Sequence, residues 1–176
     1  MPYALPGLQR CSPLHLAGAV LAGAVAVIVA AHGFEEIGGY IPCPLCLQQR
    51  YAYYAAIPAL VIAVGLIIAE RRVWATVALA VVAVMFVANA GLGTYQAGAE
   101  WKMWDPPATC AAPSELPTLQ LDAKGLNRRP VSCGVASWRF LGLSFAGWNI
   151  VASAALALGS MAAAAAIRKQ PPSSAV

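Results

Sequence analysis

Four long stretches of this chain carry no Asp, Glu, Lys or Arg, and that pattern limits the possible folds more than any other feature. Ser12 to Gly33 is the first, and Tyr51 to Ala69, fenced by Arg50 and Glu70, is the second. The third opens at Val73, and its apolar part closes near Gly93. The fourth runs from Phe140 to Ile167 and is closed by Arg168 and Lys169. A helix of about 20 residues crosses a hydrocarbon core of about 30 Å. Charge is absent because a charged side chain at the middle of such a helix costs about 2.5 to 3.5 kcal/mol on insertion scales. Only 10% of the 176 residues are charged and 60% are apolar, whereas about a quarter of an average soluble domain is charged. The expected fold is an all-α bundle of four transmembrane helices forming a single domain over 1–176, with spans at about 14–33, 50–69, 73–94 and 141–167. Ala, Val, Gly and Leu dominate the spans, which suits close packing through small residues. Pro58 falls inside the second span, where a neighbouring helix can satisfy the freed carbonyl. Arg10 and the first run also resemble a secretory signal peptide. The run is long and no clean small-x-small cleavage site follows it before Phe34, however, and the other three runs remain spans either way.

Four spans place both termini on one side. The turn between the second and third is minimal, essentially Glu70, Arg71 and Arg72, which leaves two loops on the other side. One loop is Phe34 to Arg50. The other is long, about 95–139, and contains Pro106, Pro107 and Pro113. Arg10, Arg71, Arg72, Arg168 and Lys169 lie on the terminal side, against Arg50, Lys102, Lys124, Arg128, Arg129 and Arg139 on the loop side. The counts nearly balance, but the two arginines held tight against the membrane in the minimal turn favour a cytoplasmic terminal side. Trp101, Trp104 and Trp138 fit interfacial positions at helix ends, and the tail 170–176 reads as disordered. Net charge is +4 with no basic cluster, so nucleic acid is not an expected partner.

Cysteine placement carries the chemistry. Cys43, Cys46, Cys110 and Cys133 fall in the two loops of one side, and Cys11 stands alone on the other as a thiol of no expected role. None lies within the apolar runs, where a free Cys would pack as a small hydrophobe. Four cysteines on one non-cytoplasmic face suit two disulfides in an oxidising compartment. Cys43-Pro44-Leu45-Cys46 is a Cys-x-x-Cys motif, whose spacing allows an easily reduced bridge with one activated thiol. Its place just before the second span sets Cys46 near a helix N-terminus, where the helix dipole favours a thiolate. A structural staple gains little from so short a ring. A four-cysteine zinc site would pair two such knuckles, but Cys110 and Cys133 are 23 positions apart, so no metal is expected. A bridge between Cys110 and Cys133 is expected to close an exposed loop and to be open to exchange, or to act simply as a loop staple.

The segment Gly33-Phe34-Glu35-Glu36-Ile37-Gly38-Gly39-Tyr40, followed by Cys43-Pro44-Leu45-Cys46-Leu47-Gln48-Gln49-Arg50, resembles the disulfide bond formation protein B (DsbB) family, and so does Trp138-Arg139-Phe140-Leu141-Gly142-Leu143. The resemblance extends from about His15 to Ile167. It implies a multi-pass protein of the bacterial inner membrane with cytoplasmic termini and periplasmic cysteines. Cys110 and Cys133 would oxidise a soluble thioredoxin-like periplasmic oxidase (DsbA-like), with Cys110 forming the mixed disulfide. Cys133 would then pair with Cys43, leaving Cys46 as a thiolate facing a membrane quinone (ubiquinone or menaquinone) beside Arg50. Many relatives carry a histidine in a Tyr-His-Ala-Gly-like stretch, and here it reads Tyr95-Gln96-Ala97-Gly98. Gln96 can donate a hydrogen bond to a quinone oxygen but cannot carry a proton.

The energetics require an acceptor stronger than a disulfide, and a lipid-soluble quinone is the natural one inside a bundle. DsbA is known to have a potential of about −120 mV, and structural disulfides lie below about −300 mV. The gap, about 180 mV, is roughly 8 kcal/mol uphill for a simple disulfide. Arg50 lies at i+4 from Cys46, on the same helix face, where its charge would favour the Cys46 thiolate; the alternative is a snorkelling interface arginine. His15 and His32 sit near span ends and are read as interfacial. Two other functions fit four spans with loop cysteines. A quinone reductase of the vitamin K epoxide reductase type carries its Cys-x-x-Cys late in the chain, unlike this one. A non-enzymatic scaffold with stapled loops would make the motif and Arg50 incidental.

Overall fold

Proline and a side-chain cap open the first two helices. In the computed structural model of the protein, residues 12–107, 110, 120–121, 127–128 and 133–169 are described; Cys11 and the tail 170–176 lie outside them. Ser12 Oγ accepts from Leu14 N at 3.3 Å, and Pro13 starts α1 (Pro13–Glu36) at the position where its missing N–H costs nothing. Cys43 caps α2 (Pro44–Ile68) in the same way, its sulfur accepting from Cys46 N at 3.2 Å. The three-residue turn to α3 (Arg72–Glu100) is closed by Arg71 N donating to Leu66 O at 2.9 Å, with Glu70 in the left-handed region at φ 55°. The last helix, α4 (Phe145–Lys169), ends on Arg168 and Lys169, whose charges complement its C-terminal dipole. All four helices are long and apolar enough to cross a membrane.

The helices form a ring in which α1 packs on α2 and α4, and α3 packs on α2 and α4. Tyr53, Leu60, Leu79, Val82 and Phe86 fill its centre, between alanines such as Ala17, Ala24, Ala56 and Ala63 that let backbones approach. One close approach between helices is at Gly159 of α4, where a Cβ would stand 2.7 Å from Val20 Cγ2 of α1. Within this apolar core Tyr53 OH donates to Asn149 Oδ1 at 2.7 Å, and Asn89 Nδ2 donates to Ser153 Oγ at 3.0 Å.

Helix ends differ from the apolar runs in ways that shape the site. α2 begins at Pro44, so its first turns include Cys46, Gln49 and Arg50. At 29 residues, α3 is about 44 Å long. It outreaches the hydrocarbon core and carries Gln96 and Glu100 into the loop end of the bundle. Among the described residues, two short antiparallel ribbons belong to the long loop and its junction with α4. β1 (Gln120–Leu121) pairs with β2 (Asn127–Arg128), and β3 (Arg139–Phe140) pairs with β4 (Leu143–Ser144) just before α4. Leu141 and Gly142 turn the second ribbon at φ 51° and 82°.

Candidate functional site

The end of α1, the start of α2, the end of α3 and the start of α4 converge on a cavity of about 450 Å³ at the loop end of the bundle. One wall is aromatic. Phe145 lies 4.8 Å from Trp138, 5.1 Å from Phe34 and 5.6 Å from Tyr40 between ring centroids. The β3–β4 turn brings Trp138 there, so this tryptophan lines the cavity as well as standing at a helix end. Val27 and Ile28 of α1 continue the apolar lining.

The polar part of the lining is built around sulfur. Cys43 and Cys46 are unbridged, with their sulfurs 2.6 Å apart across a hydrogen bond. The hydrogen bond with Cys46 and burial both push the Cys43 thiol well above the usual thiol range, so the shared proton stays on Cys43. Gln96, only 3% exposed, directs Nε2 at both sulfurs, 3.4 Å from Cys46 Sγ and 3.5 Å from Cys43 Sγ. Its Oε1 accepts from Gln49 Nε2 at 2.7 Å, which fixes the amide's orientation. Gln96 Nε2 also lies 3.4 Å from Glu100 Oε1, one helical turn on.

Cys110 and Cys133 form a disulfide with a Cα–Cα distance of 5.3 Å. The expectation of an exposed bridge is corrected here: Cys110 is 3% exposed and Cys133 1%. Both pack with Cys43 and Leu45 in one buried cluster, with Cys46 and Leu92 against it. Sulfur is apolar enough to take a place in such a cluster, so the loop folds its cysteines inward. Lys102, just past α3, donates to Gly134 O at 3.1 Å and ties the Cys133 turn to the helix end.

Arg50 lines the same cavity one turn beyond Cys46, but its hydrogen bonds go elsewhere. Nη1 pairs with Glu35 Oε2 at the end of α1, and Nη2 donates to Ala31 O at 3.4 Å. Its charge is therefore largely answered by Glu35 rather than left free for the thiols. His32, beside Glu35, meets Tyr54 OH through Nε2 at 2.9 Å. The structure thus brings the four loop cysteines and Gln96 together and sets Arg50 deeper in the same cavity. Sequence reasoning did not single out Glu35, Gln49 or Glu100 as lining residues. For Glu100 a signal existed, because four residues beyond Gln96 is the same helix face.

A family model described as "Disulfide bond formation protein DsbB" matches residues 13–163. A "Disulfide bond formation protein B" of Aromatoleum aromaticum is 31% identical over 144 residues, covering 76% of this chain and 83% of its own. Proteins of the same description from Acidovorax sp. and Paracidovorax citrulli are 29% identical over 156 residues and 27% identical over 161, covering 80% and 84% of each chain respectively. No solved structure matches.

Proposed function

The chain belongs to the disulfide bond formation protein B family, and from that membership and the cysteine geometry we propose that it re-oxidises the active-site dithiol of a periplasmic DsbA-like oxidase and passes the electrons to a membrane quinone. Membership makes it a disulfide oxidoreductase of a bacterial membrane. The DsbA–DsbB–quinone couple is the known means by which a bacterial periplasm is kept oxidising. One observation carries the finer reading: Cys43, Cys110 and Cys133 share a buried cluster with Cys46 against it, at the edge of an apolar cavity. Two pairs in contact can exchange disulfides, and two isolated staples cannot.

The cavity suits a quinone head. Its volume falls within the 300 to 1,000 Å³ usual for ligand sites. An apolar and aromatic lining meets a few polar groups at one end, as a flat ring with two carbonyl oxygens requires. Arg50 and the Gln49–Gln96 amide pair are the donors that would hold it, and bound quinone would supply an electron acceptor stronger than any disulfide here. The residues do the rest. The partner's thiolate attacks Cys110, and the freed Cys133 attacks Cys43 and releases Cys46 toward the cavity. The partner's second thiol then attacks the mixed disulfide, so the partner leaves oxidised. The freed Cys110 re-forms its bond to Cys133 and releases Cys43, and the Cys43–Cys46 bond re-forms when the electron pair leaves. Cys110 is buried, so the partner must uncover it on docking. With the loops periplasmic, both termini are cytoplasmic.

The test is direct. Protein purified in mild detergent is extracted for ubiquinone and menaquinone, then mixed with a reduced DsbA-like oxidase and a soluble quinone analogue. Catalytic loss of quinone absorbance, abolished in Cys43→Ser and in Cys46→Ser, is expected. Failure of the parent to reduce the analogue would end the proposal.

A further inference from the structure

Oxidising the Cys43–Cys46 dithiol releases an electron pair and two protons, and on the reading above both go to a quinone. One proton lies in the hydrogen bond between the two sulfurs. Gln96, the polar group nearest both sulfurs, cannot carry a proton. The second proton therefore needs another carrier at the cavity. Glu100 is 9% exposed and lines the cavity with both cysteines. Its Oε1 is held by Gln96, and its Oε2 is buried with no hydrogen-bond partner among the described residues.

Among the described residues, the charges around it leave no free cation for a carboxylate. The other titratable and charged groups lining the cavity are Glu35, Tyr40, Cys43, Cys46, Arg50 and Tyr53, the last already donating to Asn149 Oδ1, while α4 lines it with uncharged side chains alone. Arg50 is committed to Glu35, and Lys102 Nζ donates to Gly134 O. A sulfur pair that shares one proton carries a negative charge. A second buried negative charge beside it, without a cation, is costly, whereas a neutral acid is not.

We propose that Glu100 is a proton-carrying catalytic residue: in the reduced protein its Oε2 holds the second proton, and it gives that proton to the acceptor as the Cys43–Cys46 bond forms. The step balances. The Cys43 S–H bond and the Glu100 O–H bond break, the Sγ–Sγ bond forms, and two electrons and two protons reach the quinone. Glu100 is left as a carboxylate, and the proton arriving with the next dithiol restores it.

This inference rests on the quinone reading, so its test has one arm without quinone. Infrared difference spectra between the dithiol and disulfide forms of quinone-free protein should show a carboxylic acid C=O band in the dithiol form. That band should shift in D₂O, vanish on oxidation and be missing in Glu100→Gln. A band insensitive to redox state, or one that persists in Glu100→Gln, would overturn the proposal. In the second arm, oxidation of the dithiol by a soluble quinone analogue should slow on the order of 100-fold in Glu100→Gln. A small weak acid such as formic acid should restore part of that rate, and Glu100→Asp should retain part of it. A parent rate in Glu100→Gln would overturn the proposal as well. If the parent itself fails to pass electrons to the analogue, the quinone reading is at fault, and the infrared arm still decides whether Glu100 holds the proton.

Discussion

Cys43 and Cys46 differ although only two residues separate them. Cys43 caps α2, and its thiol is pushed up by the hydrogen bond to Cys46 and by burial. Alkylation needs a thiolate. An uncharged alkylating agent at neutral pH should therefore modify Cys46 of the dithiol protein well before Cys43, as read by peptide mass spectrometry; equal or reversed labelling would contradict the assignment. A similar division of roles holds at Arg50, where the guanidinium both pairs with Glu35 and lines the cavity. Arg50→Lys keeps the charge but loses the planar fork, and Arg50→Gln loses the charge. Both should raise the KM for quinone, with Gln the more severe, because Gln also leaves Glu35 as an uncompensated, largely buried carboxylate. If both variants match the parent in KM and rate, Arg50 only ties α2 to α1. The Cys-x-x-Cys and Arg50 were legible in the sequence because their spacing carries chemistry. The Glu35 partner was not, because a pair 15 positions apart forms only when α1 and α2 are packed.

The helices were legible where lipid dictates composition and less so where it does not. A charge marks where hydrocarbon ends, so Arg50 set the expected start of the second span. The helix starts at Pro44 because Cys43 caps it and because Glu35 satisfies Arg50 within the fold. In α3 the polar stretch past Gly93 continues as helix to Glu100, its Gln96 and Glu100 side chains turned into the site instead of into water. Packing between helices leaves another mark, in glycine. At Gly159 even one added carbon meets Val20 at 2.7 Å. Gly159→Val should force α1 and α4 apart and destabilise the bundle by about 1 to 3 kcal/mol. A melting temperature in detergent lower by several degrees would report it, and an unchanged one would mean that α1 shifts at no cost.

At the scale of the molecule, the bundle keeps its chemistry at one end. The four spans predict that partition, since alternating helices must send both cysteine loops to the same side. They do not predict that the long loop folds its disulfide inward against Cys43, because burial of Cys110 and Cys133 depends on contacts that no spacing records. On the proposed reading, this arrangement also orders the events. If electrons enter at Cys110–Cys133 and leave at Cys43–Cys46, breaking the entrance should leave the exit working. In Cys110→Ser, oxidation of the partner should cease. With quinone available, the Cys43–Cys46 pair should still be found as a disulfide, because the acceptor drains it and nothing refills it. In Cys46→Ser the reverse holds: the partner can be trapped on Cys110, but no quinone is reduced. Acid quenching followed by thiol labelling and mass spectrometry distinguishes the two states. Finding Cys43 and Cys46 reduced in Cys110→Ser despite excess quinone would mean that the pairs work in another order, with the exit placed at the loop disulfide.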